Sequence, residues 1–262
     1  MKNYVTGANG FIGSHLMRRF LNAEAIPNQQ ISKAKLKNFE NFFFLSSYGN
    51  LFQHTDWNAI VKANISDLVC ILREVRRQTP STFIFVSTSI VTMRVQTPYA
   101  CCKMAAEHIL AGSNSIDRRT IVARPYSVTG AGEQPSHLIP ALIRSCMKGE
   151  EIPFYPDATH DFVDVSDLVD GLCLLAEKAD SGIYEFGRGL AVSNAEVKSI
   201  VEKVTGKAAN VKMTTFGRPY DSKSWFCKND AATKLGWVPK KSLEQSIREM
   251  VNEYDNPAKA MR

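Results

Sequence analysis

The sequence predicts an α/β chain, a doubly wound parallel sheet with a smaller lobe toward its C-terminal end, and three observations predict it. The first is a strand-to-helix junction punctuated by glycine. Tyr4-Val5-Thr6 runs into Gly7, Gly10 and Gly13, and Phe11, Ile12, Leu16, Phe20 and Leu21 follow at helical spacing. The second is the alternation of apolar, β-prone runs with amphipathic helical stretches through the first half of the chain. The third is size: 262 residues with 44% hydrophobic content suffice for one large α/β core and a subsidiary lobe.

The elements follow in order. Asn3–Thr6 reads as the first strand and Phe11–Leu21 as the first helix. Asn41–Ser47 is an apolar strand. Asp56–Arg77 is a long helix, with Ile60, Val61, Ile65, Leu68, Val69 and Leu72 on its inner face. Thr82–Ser87 is a strand, Tyr99–Leu110 a helix and Arg119–Arg124 a strand. After Pro125 the pattern loosens, with Gly130, Gly132, Pro135, Pro140, Pro153 and Pro156 marking the departure of a second lobe. Asp164–Lys178 and Asn194–Thr205 are helical, Ser193 serving as an N-cap. Gly182–Gly187 is a short strand and Ser242–Tyr254 a final helix. The expected division is residues 1–129 with 158–187 in one domain, 130–157 with 188–254 in the other, and 255–262 as a tail.

Bulk properties exclude several classes. Net charge is +6, yet the basic residues form no dense block interleaved with aromatics. Lys33, Lys35 and Lys37 read as a solvated helix face, and an anionic small-molecule substrate is reason enough for the excess. No nucleic-acid partner is expected. No stretch approaches the ~20 apolar residues of a membrane span. The first strand begins close to Met1, leaving no room for a signal peptide. Cys70, Cys101, Cys102, Cys146, Cys173 and Cys227 lack metal-ligand spacing and read as reduced thiols. The expectation is a cytoplasmic protein without a metal.

The chemistry begins in the glycine loop. Gly7 permits a tight turn, Gly10 lets backbone N–H groups approach a pyrophosphate, and Gly13 lets the helix pack close to the strand. The helix N-terminus then faces the phosphates. The spacing is G-x-x-G-x-x-G, which a plain βα turn also satisfies. Pro98-Tyr99-Ala-Cys-Cys-Lys103 adds a tyrosine and a lysine on one helix face. A phenol near pKa ~10 is a poor acid–base group at neutral pH, and an adjacent ammonium lowers that value. Upstream, Phe83-Ile-Phe-Val-Ser-Thr-Ser89 reads as a buried strand ending in hydroxyls, where Thr88 can hydrogen-bond a substrate hydroxyl.

TGANGFIGSHL, FIFVSTS, PYACCKMAAE, ARPYSVTGAG, HDFVDVSDLVDGL, GIYEFGRG, and RPYD followed by LGWVPKKSLEQSI occur in this order. Through them the chain, from Met1 to about Tyr254, resembles the extended short-chain dehydrogenase/reductase family, in its NAD-dependent epimerase/dehydratase group acting on nucleotide sugars. The resemblance implies a Rossmann-like fold, NAD or NADP as cofactor with NAD favoured, a nucleotide sugar as substrate, and a homodimer formed through Asp56–Arg77 and Tyr99–Leu110. It implies Tyr99, Lys103 and Thr88 as the catalytic set, with Tyr99 moving the proton, Lys103 depressing its pKa and holding the nicotinamide ribose, and Thr88 orienting the reacting oxygen. It assigns the cofactor to Gly7, Asn9, Gly10, Phe11, Ile12, Gly13, Leu45, Ser46, Ser47, Lys103 and Pro125. It assigns the substrate to Ser89, Ser127, His160 and Arg218; an ion pair of Arg218 with Asp221 is the alternative. Asn64 matches an asparagine that orders the active site, with an ordinary helix-surface amide as the alternative, and Asp161 and Asp164 read as structural.

The chain departs from the family's pattern. The acidic residue that binds the adenosine ribose belongs ~20 residues past the glycines, near Ile26-Pro27-Asn28. No Asp or Glu occurs from Ala25 through Phe39. Only about 20 residues separate the first helix from Asn41–Ser47, too few for a strand–helix–strand passage. Part of the sheet edge is therefore expected to be missing, with Ile26–Ile31 as a remnant strand, and Lys33 or Lys35 is a candidate contact for a 2′-phosphate. Ser127 replaces an asparagine and His160 an arginine among the phosphate ligands, and imidazole is a weaker, pH-dependent cation. Ser89 and Ile90 stand where 4,6-dehydratases carry an Asp-Glu pair. The resulting expectation is an NAD(P)-dependent epimerase or 4-ketoreductase that does not dehydrate at C4–C6. A non-catalytic descendant that binds a dinucleotide or nucleotide sugar is the alternative.

Overall fold

The computed structural model describes residues 2–51, 53–76, 81–113, 118–215, 217, 225–228 and 230–255. It divides into two units, Met1–Pro125 with Val169–Glu185 and Asp230–Trp237, and Tyr126–Leu168 with Phe186–Asn229 and Val238–Arg262.

The first unit is built on a six-stranded sheet. Its N-terminal elements are β1 (Lys2–Thr6), α1 (Phe11–Arg19), β2 (Ala23–Ile26), β3 (Phe39–Phe44), α2 (Trp57–Val61), α3 (Asp67–Val75), β4 (Ser81–Val86), α4 (Pro98–Gly112) and β5 (Arg118–Pro125). With β10 (Gly182–Phe186) the sheet order is β10-β5-β4-β3-β1-β2. Strands β2, β1, β3, β4 and β5 pair in parallel. The chain leaves β1 for β2 on one side and returns to β3 on the other, so the order reverses between β1 and β3. In open α/β sheets ligands bind outside the carboxyl ends of the strands at such a reversal.

β3, β4 and β5 are buried on both faces, and their apolar runs follow from that. Phe42 lies opposite Phe83 and Phe44 opposite Phe85 in the register, with ring centroids 5.4 and 5.9 Å apart. These rings, with Leu68, Ile71 and Val75, form the core of the unit.

The edge beyond β1 is shortened, as the residue count implies. The remnant differs from Ile26–Ile31, however. The strand is β2, and Asn28–Lys33 is a 3-10 helix. Pro27 ends the strand because it has no N–H for the ladder. Ile31 and Leu36 then anchor the return to β3 in the core. The first helix ends at Arg19, which leaves Leu21 95% exposed in the turn instead of on the inner face.

The long helix before β4 is continuous but not regular. Lys62–Ser66 is a π-helical turn between α2 and α3. Asn64 is buried, and its Nδ2 donates to the carbonyls of Ile60 at 2.8 Å and Tyr48 at 2.7 Å. A side chain bonded to a carbonyl one turn back competes with the backbone ladder and widens the turn. The extra residue shifts the buried face, so Val61 is exposed while Ile71 and Val75 join Leu68 and Leu72 inside.

In the second unit the chain runs through β6 (Ser127–Thr129), α5 (Leu138–Lys148), β7 (Ile152–Phe154), β8 (Thr159–His160), β9 (Phe162–Asp164) and the start of α6 (Val165–Lys178). It returns after β10 with β11 (Val192–Ser193), α7 (Asn194–Thr205) and β12 (Val211–Met213); α8 (Asp230–Lys234) belongs to the first unit, and α9 (Leu243–Asp255) completes the second. Its strands form short pairs, β6 with β9, β7 with β12 and β8 with β11. Ile139, Leu142, Ile143, Val197, Val201, Ile247 and Met250 fill its core. α7 opens on a capping box between Ser193 and Glu196.

Candidate active site

The glycine loop lies at the carboxyl end of β1. Gly7 has φ +68°, and a Cβ there would stand 2.8 Å from the backbone of Leu45 and Ser46. A Cβ on Gly13 would stand 2.0 Å from the Gly7 carbonyl oxygen, so the close approach of α1 to β1 requires glycine. Gly10 is the N-cap of α1. No side chain caps it, and the first turn holds no acidic residue. A Cβ on Gly10 would meet only the Gly7 oxygen, at 3.2 Å. An uncapped helix N-terminus facing open space and free of carboxylates fits a pyrophosphate. Asn9 is exposed, and Phe11 and Ile12 are half-buried beside the loop.

The segment after β3 is fixed against this loop. Thr6 Oγ1 accepts from the N–H groups of Leu45 and Ser46, both at 3.2 Å, and Ser46 Oγ donates to Asn28 Oδ1 at 2.8 Å. Ser47 is exposed and hydrogen-bonds Tyr99. Tyr48 stacks on His54 at 4.1 Å between centroids, and the Asn64 amide holds the Tyr48 carbonyl.

α4 begins with Thr97 as N-cap, its Oγ1 accepting from Ala100 N at 3.1 Å, and Pro98 in the first turn. Tyr99 and Lys103 follow on the buried face. Lys103 Nζ donates to the Val86 carbonyl at 2.9 Å and lies 4.6 Å from the Phe85 ring centroid and 5.8 Å from that of Tyr99. Thr88, just past β4, accepts from Ile90 N at 3.3 Å, which leaves its hydroxyl proton to donate. Ser89 is buried, and its Oγ has no hydrogen-bond partner, the state expected of a group that meets a ligand. Pro125 closes β5. The unit thus brings together the glycine loop, Leu45–Ser47, Thr88, Ser89, Tyr99, Lys103 and Pro125.

The electrostatics correct one expectation. The Tyr99 phenol is not depressed: burial pushes it up to about 12, against a smaller downward pull from the Ser47 hydrogen bond. Burial brings Lys103 down to about 7, with Glu107 pulling the other way. Desolvation outweighs the mutual attraction that spacing alone suggests.

Other candidates lie in the second unit. Ser127 Oγ and His160 Nδ1 are 3.3 Å apart. Around them the His160 ring faces Phe162 at 5.6 Å and Trp225 at 5.7 Å, and Tyr126 faces Trp225 at 5.5 Å. Asp161 is fully buried and accepts from the N–H groups of Arg188, Gly189 and Cys227 at 2.7, 2.9 and 2.9 Å, while Asp164 accepts from Ser166 N and Ser246 Oγ. Both carboxylates are engaged in holding the chain. Arg218 and Asp221 lie outside the described residues.

With this geometry in hand, the sequence matches the model of the NAD dependent epimerase/dehydratase family over residues 49–187, just over half of the chain. The chain belongs to that family. It is 23% identical over 81% of its length to the trifunctional UDP-glucose 4,6-dehydratase/UDP-4-keto-6-deoxy-D-glucose 3,5-epimerase/UDP-4-keto-L-rhamnose-reductase of Arabidopsis thaliana, and spans 34% of that protein. It is 22% identical over 97% of its length to a dTDP-glucose 4,6-dehydratase of an Actinoplanes species, covering 98% of it. Among solved structures, MoeE5 in complex with UDP-glucose and NAD matches at TM-score 0.89 and 24% identity over 98% of this chain and all of that one, which shows the fold.

These relatives overturn the expectation that this chain does not dehydrate at C4–C6. Two proteins whose names carry 4,6-dehydratase activity match it along most of its length. Lacking carboxylates at Ser89 and Ile90 removes one acid–base pair, not the chemistry, because a phenol, hydroxyl or imidazole placed elsewhere also moves protons. Among the described residues no helix is long and apolar enough to cross a membrane.

Proposed function

We propose that this chain is an NAD(P)-dependent nucleotide-sugar epimerase or 4-ketoreductase, with dehydration retained among the reactions to be assayed. The observation that carries the reading is the gathering, in one unit, of Tyr99 and Lys103 on one turn of α4 with Thr88 at the end of β4 and the glycine loop at the end of β1. The nucleotide sugars named in the relatives supply the substrate class. Residues 1–129 with 158–187 are read as the cofactor domain and 130–157 with 188–254 as the substrate lobe; Ser127 and His160, in the first set, are read as substrate ligands. The proposal includes a homodimer, which light scattering tests.

Gly7, Gly10, Gly13 and the first turn of α1 would hold the pyrophosphate, and Leu45–Ser47, Lys103 and Pro125 the nicotinamide half. Bound NAD(P) supplies the hydride acceptor and donor. The protein's residues manage the proton. When a sugar hydroxyl becomes a carbonyl, its O–H proton would pass to Tyr99 Oη in the phenolate form while Thr88 donates to the same oxygen. In the reverse direction Tyr99 Oη–H returns the proton. A phenol held near 12 rests neutral, ready to protonate a carbonyl oxygen. The forward direction relies on Lys103 as an ammonium beside it.

The test starts with calorimetric titration of NAD and NADP into the wild type and Gly10→Val. A Cβ at this position meets only the Gly7 carbonyl oxygen, at 3.2 Å, so binding should vanish with the fold retained, which a circular dichroism spectrum checks. Unchanged affinity would refute the loop assignment. Incubation with UDP-, GDP- and dTDP-hexoses then separates outcomes. Epimer without net NAD(P)H change marks an epimerase, stoichiometric NAD(P)H consumption a reductase, and a 4-keto-6-deoxy product a dehydratase. Binding without turnover of any of them moves the reading to the non-catalytic descendant.

A further inference from the structure

α4 carries a third buried polar side chain, one turn beyond Lys103. Glu107 is 8% exposed. Its Oε1 accepts from Ser87 Oγ at 2.5 Å and from Arg124 Nε at 3.0 Å, and its Oε2 accepts from Arg124 Nη2 at 2.5 Å. Ser87 immediately precedes Thr88, and Arg124 immediately precedes Pro125. One carboxylate therefore ties the helix that carries Tyr99 and Lys103 to the carboxyl ends of both neighbouring strands.

The surroundings of Lys103 show why a carboxylate belongs there. Its side chain is 1% exposed. From β4 it meets the Phe85 ring and the Val86 carbonyl, both uncharged. From its own helix it faces Tyr99, Cys102 and Glu107. β5 contributes Arg124 through Glu107, with Glu185 3.9 Å behind Arg124. Ser47 reaches the same cluster through Tyr99. Of these groups Glu107 is the carboxylate that favours the ammonium form of Lys103. Residues one turn apart on a helix face are neighbours, and a buried ammonium without a counter-charge gives up its proton.

We propose that Glu107 is a positioning residue: one turn beyond Lys103, it is the carboxylate that favours its ammonium against burial, and through Ser87 and Arg124 it fixes α4, and Lys103 with it, relative to Thr88 and Pro125. The inference rests on the reading of Tyr99, Lys103 and Thr88 as the reaction centre. A purely structural ion pair would stabilise the fold and leave Lys103 unaffected.

The experiment observes Lys103 directly and needs no nucleotide. Protein labelled with 13C-lysine is titrated by NMR, and the Lys103 Cε signal is identified by its loss in Lys103→Met. Glu107→Gln keeps the shape and removes the charge, so the Lys103 midpoint should fall by about one unit or more. Because Glu107→Gln takes the Glu107 charge away from the half-buried Arg124, Glu107→Gln/Arg124→Leu serves as the second variant, and its midpoint should also lie below the wild type. An unchanged midpoint in both variants, with only a lower melting temperature, overturns the proposal. The second readout is NAD(H) affinity against pH. Glu107→Gln should move its midpoint to lower pH and add nothing in the Lys103→Met background. If the wild type binds no dinucleotide, the proposed function fails while the titration still decides whether Glu107 sets the charge of Lys103.

Discussion

The two flanks of the glycine loop are built very differently. On one side β3 and β4 stack phenylalanines across the register, and Ser87, Glu107 and Arg124 close a polar network one helical turn beyond Lys103. On the other, β2 has 4 residues and is followed by a 3-10 helix, with Asn28 opening that helix where the family resemblance leads one to expect an acid. In the proposed function the first flank carries the proton chemistry and the second meets the adenosine half of a dinucleotide. The contrast teaches that the parts of such a fold are separable. On the proposed reading, reaction geometry depends on the central strands and α4, and the cofactor is gripped in part along an edge that is trimmed here without disturbing them.

The largest expected effect tests the intact flank. Tyr99→Phe keeps the ring and its packing and removes the ionisable oxygen. Turnover should fall about 10²–10⁴-fold while nucleotide affinity stays within a few-fold. Steady-state kinetics on whichever sugar the panel identifies reads this, and near wild-type turnover would break the assignment.

Gly13→Ala comes next. Its methyl would lie 2.0 Å from the Gly7 carbonyl oxygen, so α1 must move off β1. Overpacking of this kind costs about 1–3 kcal/mol. Denaturant titration should show that loss, and a stability equal to the wild type would mean that the helix yields freely.

Lys103→Met gives a smaller, pH-dependent signal. Burial lowers Lys103 from its ordinary 10.5 to about 7. Below that value the folded protein carries a buried ammonium that opposes folding. As pH rises from about 7 toward 10.5, the folded state sheds this proton before the unfolded chain does, and the penalty fades. The melting temperature of Lys103→Met should therefore exceed that of the wild type most at about pH 6, and the gap should narrow by about pH 9. A constant gap would show that the ammonium is not desolvated.

Much of this was legible in the sequence. Gly7, Gly10 and Gly13 named the loop, the apolar runs named the strands, and the Tyr99–Lys103 spacing named the buried face of α4. What escaped depends on partners far apart in the chain. Spacing suggests that Lys103 lowers the Tyr99 pKa, but burial, which only the folded chain sets, reverses the sign against the opposing pull of the Ser47 hydrogen bond. Glu107 stands one turn from Lys103 in the sequence but nothing there singles it out, and Arg124 is its partner only once β5 lies beside the helix. The π turn at Lys62–Ser66 shifted a helical face that periodicity placed at Val61. α5 was hidden by Pro140, which sits in the first turn of the helix, where a missing N–H removes no bond. The two- and three-residue strands of the second unit are too short for an alternating pattern to register.

The smallest effect sharpens the comparison at the trimmed edge. Asn28 is exposed, opens the 3-10 helix after Pro27, and accepts from Ser46 Oγ at 2.8 Å. Asn28→Asp keeps that acceptor and the shape, and replaces an amide by a carboxylate. A carboxylate there accepts from both ribose hydroxyls with charge assistance and repels a 2′-phosphate. Because the site is open to water, the gain is modest. The NAD-to-NADP affinity ratio should rise about tenfold, near 1.4 kcal/mol, with turnover of the bound complex unchanged. Calorimetry with both dinucleotides measures the ratio. A shift confined to NADP would mean that the ribose lies near Asn28 but beyond hydrogen-bond reach, so that only charge repulsion is felt. No change in either affinity would place the adenosine away from β2 altogether, and the trimmed edge would then have no part in holding the cofactor.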